Sequence, residues 1–325
     1  MARVVMADEF GTPDCYVLRD LVLPTPRPGE VRVKIRAAGI SYVDVLTAEG
    51  RYQVKPPLPF CPGSEAAGVI AELGDGVSRF AIGDRVVISG WGGMFADEAV
   101  MPERAVHHLP DGMDFAEAAV FPVSFATAWH ALYDRGQLQP GETLLVLGAG
   151  GATGHAAVQI GKHLGANVIG SASSESKRAL ALAGGADAVV DSRRDDWREQ
   201  VKLANGGNGV DVVFDPVGGN SSDPAFRSLR WGGRHLVIGF PAGIAQLRTN
   251  LPLLKGASLI GVDIRQFSEY EPDRAATNRR TIFALAAEGK LRPVIAQRYP
   301  LAEFREAMRE AAAGTTGGRI VLTMD

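Results

Sequence analysis

A cluster of glycines follows a short apolar run, and this residue type at this spacing suits the binding of a phosphate-bearing cofactor. The apolar run, Thr143–Leu147, has the length of a buried strand, and the glycines come directly after it: Gly148, Gly150, Gly151 and Gly154. Because glycine has no Cβ atom, it allows a tight turn and a close approach of the backbone to a pyrophosphate. The spacing departs from G-x-G-x-x-G because Ala149 stands at the first position.

The residues after the glycines complete a strand–helix–strand pattern. Ala157, Ile160 and Leu164 share one face of a predicted helix that Gly165 stops, and Val168–Gly170 begins a second strand. This is the layout of a dinucleotide site, in which free N–H groups of the helix face the anion. We predict cofactor contacts from five residues at the turn: Gly148, Gly151, Ala152, Thr153 and Gly154. A glycine-rich turn in another kind of α/β protein is the alternative interpretation.

The end of the second strand bears on which dinucleotide binds. An NAD site places Asp or Glu there, where the carboxylate accepts hydrogen bonds from the ribose. In this chain Ser173 and Ser174 precede Lys177 and Arg178, and Glu175 is predicted to lie in the next helix. Hydroxyls and cations suit a 2′-phosphate, so the sequence favours NADP(H), with Ser173 and Lys177 as contacts. A solvated helix face containing Lys177 and Arg178 is the alternative.

Further strands of the same sheet are predicted along the chain. They cover Val210–Asp215, Gly233–Phe240 and Ser258–Asp263, each a short run of mainly apolar residues. Strand C-termini line the ligand crevice of a doubly wound sheet. We therefore predict nicotinamide-side contacts from three residues near these ends: Gly218, Gly239 and Phe240.

The first part of the chain predicts a separate β-rich domain of about 120 residues. Its predicted strands include Val4–Met6, Tyr16–Leu18, Glu30–Ala37 and Ala67–Leu73, and Ala38–Tyr52 leads into a helix. Two amphipathic helices are predicted near the other end, over residues 274–289 and Leu301–Ala313. The fold class is therefore α/β.

Length and composition narrow the classes of protein. The chain has 325 residues, a net charge of −3 and 46% hydrophobic residues, which predicts two globular domains and gives nucleic-acid binding no electrostatic support. The N-terminus shows no signal-peptide core, and no apolar run reaches membrane-spanning length. The cysteines, Cys15 and Cys61, fit a reducing compartment. We expect a cytoplasmic protein with no membrane partner.

Six blocks of sequence stand in order along the chain: AAGISYVD, LPFCPGSEAAGVI, TAWHAL, QPGETLLVLGAGGATG, GVDVVFDPVGG and GGRIVL. In these blocks the chain resembles the zinc-free NADPH:quinone oxidoreductase (zeta-crystallin-like) branch of the medium-chain dehydrogenase/reductase superfamily. The resemblance implies a GroES-like catalytic domain over residues 1–122, a Rossmann NADP-binding domain over 123–262, and a C-terminal segment, 263–325, that completes the catalytic domain.

The same resemblance locates the positions where zinc-dependent relatives carry Cys, His and Cys ligands. Ser41, Ser64 and Val123 occupy them in this chain, and none is a good zinc ligand. Glu65 adds one carboxylate, which cannot hold the ion alone, so we predict no metal. Without a Lewis acid, alcohol oxidation loses its usual stabilisation of an alkoxide. A quinone or an α,β-unsaturated carbonyl spreads the developing charge itself, which favours a reductase of such acceptors.

The resemblance also implies roles for individual residues. Tyr52 matches a tyrosine of the substrate cleft, Ser41 stands where relatives often carry asparagine, and Tyr42 is a second candidate donor. These three form the predicted catalytic set, although ordinary packing is an alternative for each tyrosine. Asp44 is interpreted equally well as a helix-capping, salt-bridging or site residue.

Two cofactor contacts come from the resemblance alone. Thr127 is placed beside the nicotinamide, with a helix-start hydroxyl as the alternative. Arg319 matches a basic residue that reaches the 2′-phosphate, with a strand-end charge as the alternative. The strand at Ser258–Asp263 corresponds to one that pairs across a dimer in this superfamily, which implies a homodimer.

The expected function is the zinc-independent, NADPH-dependent transfer of hydride to a small-molecule acceptor, either a quinone or an α,β-unsaturated carbonyl. An enoyl-thioester or acrylate-type reductase is the alternative within enzymes, because the same scaffold serves such substrates. A non-catalytic NADPH-binding protein is the alternative outside enzymes.

Overall fold

A computed structural model describes residues 1–324, and the chain forms two compact units. Unit 1 contains Met1–Val123 together with the segment from Pro293 onward, and unit 2 is the continuous stretch Ser124–Arg292. Unit 1 is therefore interrupted by unit 2 in the sequence.

Short strands and helices occur throughout both units. The elements that begin before residue 124 are β1 (Ala2–Ala7), β2 (Tyr16–Leu21), β3 (Glu30–Ile40), α1 (Tyr42–Ala48), β4 (Glu65–Leu73), β5 (Arg85–Ser89), β6 (Glu98–Pro102), β7 (Val106–His108), α2 (Phe115–Ala118) and α3 (Pro122–Trp129). The elements up to residue 292 are β8 (Thr143–Leu147), α4 (Ala152–His163), β9 (Asn167–Ala172), α5 (Glu175–Ala183), β10 (Ala188–Asp191), α6 (Trp197–Ala204), β11 (Val210–Asp215), α7 (Ser222–Arg227), β12 (Leu229–Val237), α8 (Asn250–Lys255), β13 (Ser258–Gly261), α9 (Ile264–Tyr270) and α10 (Pro272–Ala287). The remaining elements are β14 (Ile295–Pro300), α11 (Phe304–Ala313) and β15 (Arg319–Thr323).

The long strand β3 organises the main sheet of unit 1. The strand order is β14-β15-β3-β4-β5-β7, and β6 pairs with the first half of β3. Val31, Val33 and Ile35 alternate along β3 and are buried, as the period-two pattern predicts. The second half of β3 pairs antiparallel with β15, with Ile40 opposite Ile320. The strand beside β3 therefore comes from the last segment of the chain.

Unit 2 is built on a parallel sheet of order β10-β9-β8-β11-β12-β13. The predicted strands Thr143–Leu147 and Val210–Asp215 match β8 and β11, and both strands are buried along their whole length. Strands covered on both faces read as continuous apolar runs, which is why their bounds could be predicted. The strand order reverses between β8 and β11, and that is the switch point where doubly wound sheets bind ligands.

The predicted domain boundary at residue 263 is corrected by the structure, because residues 263–292 belong to unit 2. Phe267 on α9 stacks on His130 with ring centroids 3.8 Å apart. Asn278 Nδ2 on α10 donates to Asp134 Oδ2 over 2.6 Å. These contacts attach α9 and α10 to the segment that follows α3. The amphipathic period of α10 could not show which unit it packs on.

The predicted strand Gly233–Phe240 also ends earlier than expected. β12 stops at Val237, so Gly239 and Phe240 lie in the loop that follows. Among the described residues, no helix has both the length and the apolar character needed to cross a bilayer.

Candidate functional site

The turn between β8 and α4 requires glycine at several of its positions. Gly148 has a φ of +59°, in the region that favours glycine. A Cβ atom at Gly154 would collide with the carbonyl oxygen of Gly148, and one at Gly150 would lie 2.5 Å from the Cβ of Lys177. The missing side chains let the turn pack closely against α4 and α5, and Gly148 and Gly151 remain partly exposed, as a pyrophosphate cradle requires.

The N-terminus of α4 presents backbone N–H groups. Gly151 is the extended N-cap residue and has no side chain that could cap the helix. The first intrahelical bond runs from the His155 N–H to the Gly151 carbonyl over 2.8 Å, so the N–H groups of Ala152, Thr153 and Gly154 precede it. The first turn of a helix directs such groups out of its end, where they bind anions. These residues fit the pyrophosphate of a dinucleotide.

The end of β9 presents hydroxyls and cations, as the sequence predicts. Ser173 is exposed, and Ser174 caps α5 by accepting a 3.3 Å hydrogen bond from the Lys177 N–H. Partial burial lowers the pKa of Lys177. Arg178 is not part of a solvated face, because its Nη1 forms a 3.0 Å ion pair with Asp191. The carboxylate at the end of the neighbouring strand β10 is therefore already paired with a cation.

A buried carboxylate fixes the loop after β11. Asp215 Oδ1 accepts hydrogen bonds from the N–H groups of Val217 (2.9 Å) and Gly218 (2.8 Å). Its Oδ2 accepts from Ser222 Oγ at 2.5 Å and lies 3.1 Å from His235 Nε2. Burial alone would raise the pKa of Asp215, but the bonds from His235, Gly218 and Ser222 hold that pKa below its usual value.

This loop brings two predicted nicotinamide contacts together. Gly218 has a φ of +73°, and a Cβ atom there would lie 2.8 Å from the Cα of Phe240. Gly239 and Phe240 follow β12, at the same edge of the sheet. The role of Asp215 in fixing the loop escaped the sequence reasoning, although an acidic residue at the end of a buried apolar strand was a signal for it.

Thr127 is buried in the second half of α3. The interpretation as a helix-start hydroxyl is therefore wrong, because five residues of the helix precede it. The prediction that Thr127 contacts the nicotinamide stays a prediction.

In unit 1, the predicted catalytic residue Ser41 caps helix α1. Its Oγ accepts from the Asp44 N–H over 3.1 Å, and Asp44 Oδ2 accepts from the Ser41 N–H over 2.8 Å. This reciprocal pair is a capping box, which confirms the interpretation of Asp44 as a capping residue. Tyr42 is the first residue of the helix and is half-buried.

A buried carboxylate, that of Glu65, lies next in the chain to Ser64, one of the positions where the resemblance implies a zinc ligand. Glu65 is fully buried, and its Oε2 accepts from the Val123 N–H over 2.8 Å. Its Oε1 accepts from Arg319 Nη2 over 3.0 Å. The carboxylate is therefore occupied, and within residues 1–324 no group of His, Cys, Asp and Glu has the arrangement of a metal site. The donor set does not fit zinc.

The prediction that Arg319 contacts the cofactor is wrong. Its side chain is 6% exposed and pairs with Glu65 inside unit 1, and its Nη1 lies 3.5 Å from the Val120 carbonyl oxygen. A guanidinium buried against a carboxylate is not available to a ribose phosphate. The interpretation as a plain strand-end charge is also wrong, because Arg319 is the counter-charge of a buried acid.

Tyr52 lies beside an aromatic residue that the sequence reasoning missed. Its ring centroid is 6.2 Å from that of Trp91, and the two planes are tilted by 35°. Trp91 is 57% exposed and is followed by Gly92 and Gly93, both with positive φ. A large aromatic residue among glycines directly after a strand was the available signal. The pair offers an aromatic surface together with a phenolic hydroxyl.

Two family models match the chain. The alcohol dehydrogenase GroES-like domain matches residues 27–111, and the zinc-binding dehydrogenase model matches residues 152–277. Quinone oxidoreductase-like protein 2 of Bos taurus is 36% identical over 93% of this chain and 88% of its own length. The chain belongs to the quinone oxidoreductase-like branch of the medium-chain dehydrogenase/reductase superfamily. Quinone oxidoreductase of Homo sapiens is 32% identical to this oxidoreductase over 99% of the chain and 98% of its own length.

Solved structures agree with this assignment. A probable oxidoreductase from Mycobacterium abscessus is 35% identical, covers 99% of each chain and has a TM-score of 0.89. A mycobacterial protein complexed with NADPH is 27% identical, covers 99% of this chain and 100% of that one, and has a TM-score of 0.90. The CurK enoyl reductase is also 27% identical, covers 100% and 99% of the two chains, and has a TM-score of 0.90. Unit 1 is thus GroES-like and unit 2 is Rossmann-like.

Proposed function

We propose that this oxidoreductase is a zinc-independent reductase that uses NADPH to reduce quinones or α,β-unsaturated carbonyl compounds. The observation that carries the proposal is that Ser41, Ser64 and Val123, at the positions where the resemblance implies zinc ligands, offer no thiolate or imidazole, and that the neighbouring carboxylate of Glu65 is occupied by Arg319. A site without a Lewis acid suits acceptors whose conjugation already stabilises the charge that hydride addition creates.

The proposed cofactor site uses the glycine turn and the end of β9. Gly148, Gly151, Ala152, Thr153 and Gly154 would hold the pyrophosphate through backbone N–H groups. Ser173 and Lys177 would contact the ribose 2′-phosphate, and the mycobacterial neighbour complexed with NADPH supports this choice of cofactor. When bound, NADPH supplies the hydride.

The proposed nicotinamide contacts are Thr127, Gly218, Gly239 and Phe240. Gly218 and Phe240 lie side by side, and the hydrogen bonds of Asp215 fix the backbone that carries Gly218. A rigid loop of this kind can hold a flat ring in one orientation, which is how positioning contributes to hydride transfer.

For the acceptor, the proposed contacts are Tyr52, Tyr42 and Ser41 of unit 1. A tyrosine hydroxyl can donate a hydrogen bond to a carbonyl oxygen as negative charge develops on it. The exposed ring of Trp91 beside Tyr52 favours a flat acceptor, because aromatic rings pack well against planar conjugated molecules.

The proposal is tested by following NADPH absorbance with 1,4-benzoquinone, 9,10-phenanthrenequinone and an alkenal. We expect turnover with at least one acceptor, a preference for NADPH over NADH, and no loss of activity after dialysis against EDTA. Stoichiometric zinc in the purified protein, together with alcohol oxidation on NAD, would contradict the proposal.

A second candidate function is the reduction of an enoyl thioester, which the likeness to the CurK enoyl reductase favours. An acyl-CoA panel separates the two candidates. Turnover of enoyl-CoA far above that of every quinone would favour the thioester reductase.

We also propose that the protein forms a homodimer through the edge strand β13. This strand is the last in the sheet of unit 2, and Leu259 on it is exposed. Trp231, Leu253 and Leu254 in the same unit are exposed as well. An uncovered strand edge with exposed apolar side chains in its unit is a surface on which a second copy can pair.

A further inference from the structure

Beside the Glu65–Arg319 pair lies a second buried carboxylate, that of Asp44. Asp44 is 5% exposed and Glu65 is fully buried, so both acids are held away from water. The charged groups that act on Asp44 from the strands around it are Glu65 on β4 and Arg319 on β15. In the described part of unit 1, the one positive charge of the Arg319 guanidinium therefore has to compensate two carboxyl groups, Asp44 and Glu65. A second uncompensated negative charge at this depth would be costly.

The hydrogen bonds show which of the two acids is better suited to carry the charge. Glu65 receives Arg319 Nη2 at 3.0 Å and the Val123 N–H at 2.8 Å. Asp44 instead has neutral hydrogen-bond partners: the hydroxyl and the backbone N–H of Ser41, both at Oδ2, and the hydroxyl of Ser64. Burial raises the pKa of both carboxyls, and Arg319, which is hydrogen-bonded to Glu65 and not to Asp44, opposes this rise most directly at Glu65. The proton is best placed on Asp44.

The location of that proton decides what the Ser41 hydroxyl can do. Ser41 Oγ lies 2.6 Å from Asp44 Oδ2 and already accepts from the Asp44 N–H. If Asp44 is ionised, the Ser41 hydroxyl donates its hydrogen bond to the Asp44 carboxylate and cannot donate one to a ligand. If Asp44 is neutral and donates to Ser41 Oγ, the Ser41 proton can be donated to a ligand. Ser41 is half-buried, so it connects the buried acid with an accessible position.

We propose that Asp44 is a proton store, and that Ser41 relays its proton to the oxygen of the reduced acceptor. This inference rests on the proposed reductase function. Hydride addition leaves an enolate or a hydroquinone monoanion. The Ser41 O–H bond breaks as a new O–H bond forms on the acceptor, and the Asp44 proton moves to Ser41 Oγ. After product release, Asp44 regains a proton from water. NADPH supplies the electron pair, so the step is balanced.

The first test is infrared spectroscopy of the resting protein at neutral pH. A protonated buried carboxyl has a carbonyl stretch that is separate from the carboxylate bands and shifts in D2O. We expect this band in the wild type and its loss in Asp44→Asn. Glu117→Gln is the matched control, because Glu117 holds the same position in the capping box of α2 and lies outside the cluster. Its band should equal that of the wild type. A wild-type spectrum without the band, or an Asp44→Asn spectrum that keeps it, overturns the inference.

The second test separates relay from structure. Ser41→Ala and Asp44→Asn should each lower kcat by on the order of 100-fold, the range of general acid catalysis, with the KM for NADPH unchanged. Ser41→Thr keeps the hydroxyl and should retain most of the activity. In the wild type, kcat should fall as pH rises through the raised pKa of Asp44, and this limb should vanish in Asp44→Asn. Equal kcat in Ser41→Ala and Ser41→Thr contradicts the relay.

The two tests also separate this inference from the proposed function. If the wild type reduces no acceptor, the reductase function fails, and the infrared band still decides whether Asp44 holds a proton. If the wild type is active and the band is absent, the reductase function stands and the inference fails.

Discussion

At the scale of single residues, several positions combine a chemical role with a steric one. The glycines of the β8–α4 turn are the clearest case, because the same missing Cβ atoms that shape the turn would also admit the phosphates of the proposed cofactor. Gly154 is restricted most tightly, since an added methyl group would overlap the carbonyl oxygen of Gly148. Replacing Gly154 therefore tests both the close packing of the turn and its proposed contact with the cofactor.

We expect Gly154→Ala to weaken NADPH binding by at least tenfold and to destabilise the protein by roughly 1–3 kcal/mol, the usual cost of overpacking. The measurements are calorimetric titration with NADPH and urea unfolding. Gly261→Ala is the matched control, because a Cβ atom there meets open space. Equal NADPH affinity in the two variants would show that the turn does not contact the cofactor.

The second residue-scale prediction concerns Tyr52. If its hydroxyl donates to the developing oxyanion, Tyr52→Phe should lower kcat/KM for quinones by roughly 10- to 100-fold, because a hydrogen bond to a charged group contributes about 1.5–3 kcal/mol. Steady-state kinetics with 9,10-phenanthrenequinone measure the loss. Phenylalanine keeps the ring contact with Trp91, so binding of a flat acceptor should change little. If Tyr42→Phe loses more activity than Tyr52→Phe, the hydrogen-bond donor to the acceptor oxygen is Tyr42 and not Tyr52.

Single residues also mark the limit of sequence reasoning. Sequence alone could show that Ser41, Ser64 and Val123 are poor zinc ligands. It could not show that Arg319 meets Glu65, since 254 positions separate the two in the chain. The strands that carry the two residues, β4 and β15, lie on either side of β3, and no local pattern contains this sheet order. The assignment of Arg319 to a phosphate therefore failed.

At the scale of elements, the loop after β11 depends on one buried side chain. Asp215 accepts two backbone N–H groups from the loop, and it is hydrogen-bonded to Ser222 and His235. A carboxylate that receives so many donors is stabilised in its ionised form. The loop that carries Gly218 should therefore be sensitive to acid.

The pH dependence follows from the lowered pKa of Asp215. The folded protein keeps this carboxyl ionised more readily than the unfolded chain does. Its contribution to the free energy of unfolding is present above the ordinary pKa of about 4 and is lost as pH falls through the lower folded value. We expect the loss of stability below about pH 4 to be shallower in Asp215→Asn than in the wild type.

Urea unfolding across this acidic range measures the slope. Asp196→Asn is the control, because Asp196 also has a depressed pKa, through hydrogen bonds from Arg194 and Gln200, but lies exposed to solvent. Screening should leave its effect small. Parallel slopes in the wild type and in Asp215→Asn would contradict the anchoring role.

Elements differ in how far the sequence predicts them. The bounds of β8 and β11 are predicted to the residue, because both strands are buried and mainly apolar, and a glycine follows β8 and a proline follows β11. Helix α10 was predicted to within two residues at each end, yet was assigned to the wrong unit. Hydrophobic period reveals that a face is buried and does not reveal what covers it.

At the scale of the whole molecule, the division of the chain has a direct test. Unit 2 is one continuous stretch, Ser124–Arg292, with its own parallel sheet and core. We expect a fragment of these residues to fold and to bind NADPH, as shown by circular dichroism and a thermal shift with the cofactor.

The fragment 1–123 provides the contrast. It lacks β14 and β15, so β3 loses a neighbouring strand and Glu65 loses its cation. We expect this fragment to be unfolded or aggregated. A cooperative unfolding transition in fragment 1–123, or its absence in fragment 124–292, would contradict the division.

The proposed homodimer is tested at the same scale. Leu259→Lys places a charge on the exposed face of the edge strand β13, which should prevent pairing with a second copy. We expect a dimer for the wild type and a monomer for the variant in analytical ultracentrifugation. Leu203→Lys is the control, because Leu203 is exposed on α6 of the same unit, away from this strand. A wild-type monomer would contradict the proposal.

The position of β15 beside β3 has a consequence for synthesis on the ribosome. All of unit 2 is translated between β3 and the strand that β3 needs as a neighbour. A continuous domain can fold as soon as it has emerged from the ribosome. We therefore expect unit 2 to fold first, while residues 1–123 of unit 1 still lack the strands that complete their sheet. During that interval Glu65 has no guanidinium, and the nascent sheet has an open edge. The ion pair of Glu65 and Arg319 also makes the completion of unit 1 depend on a late part of translation.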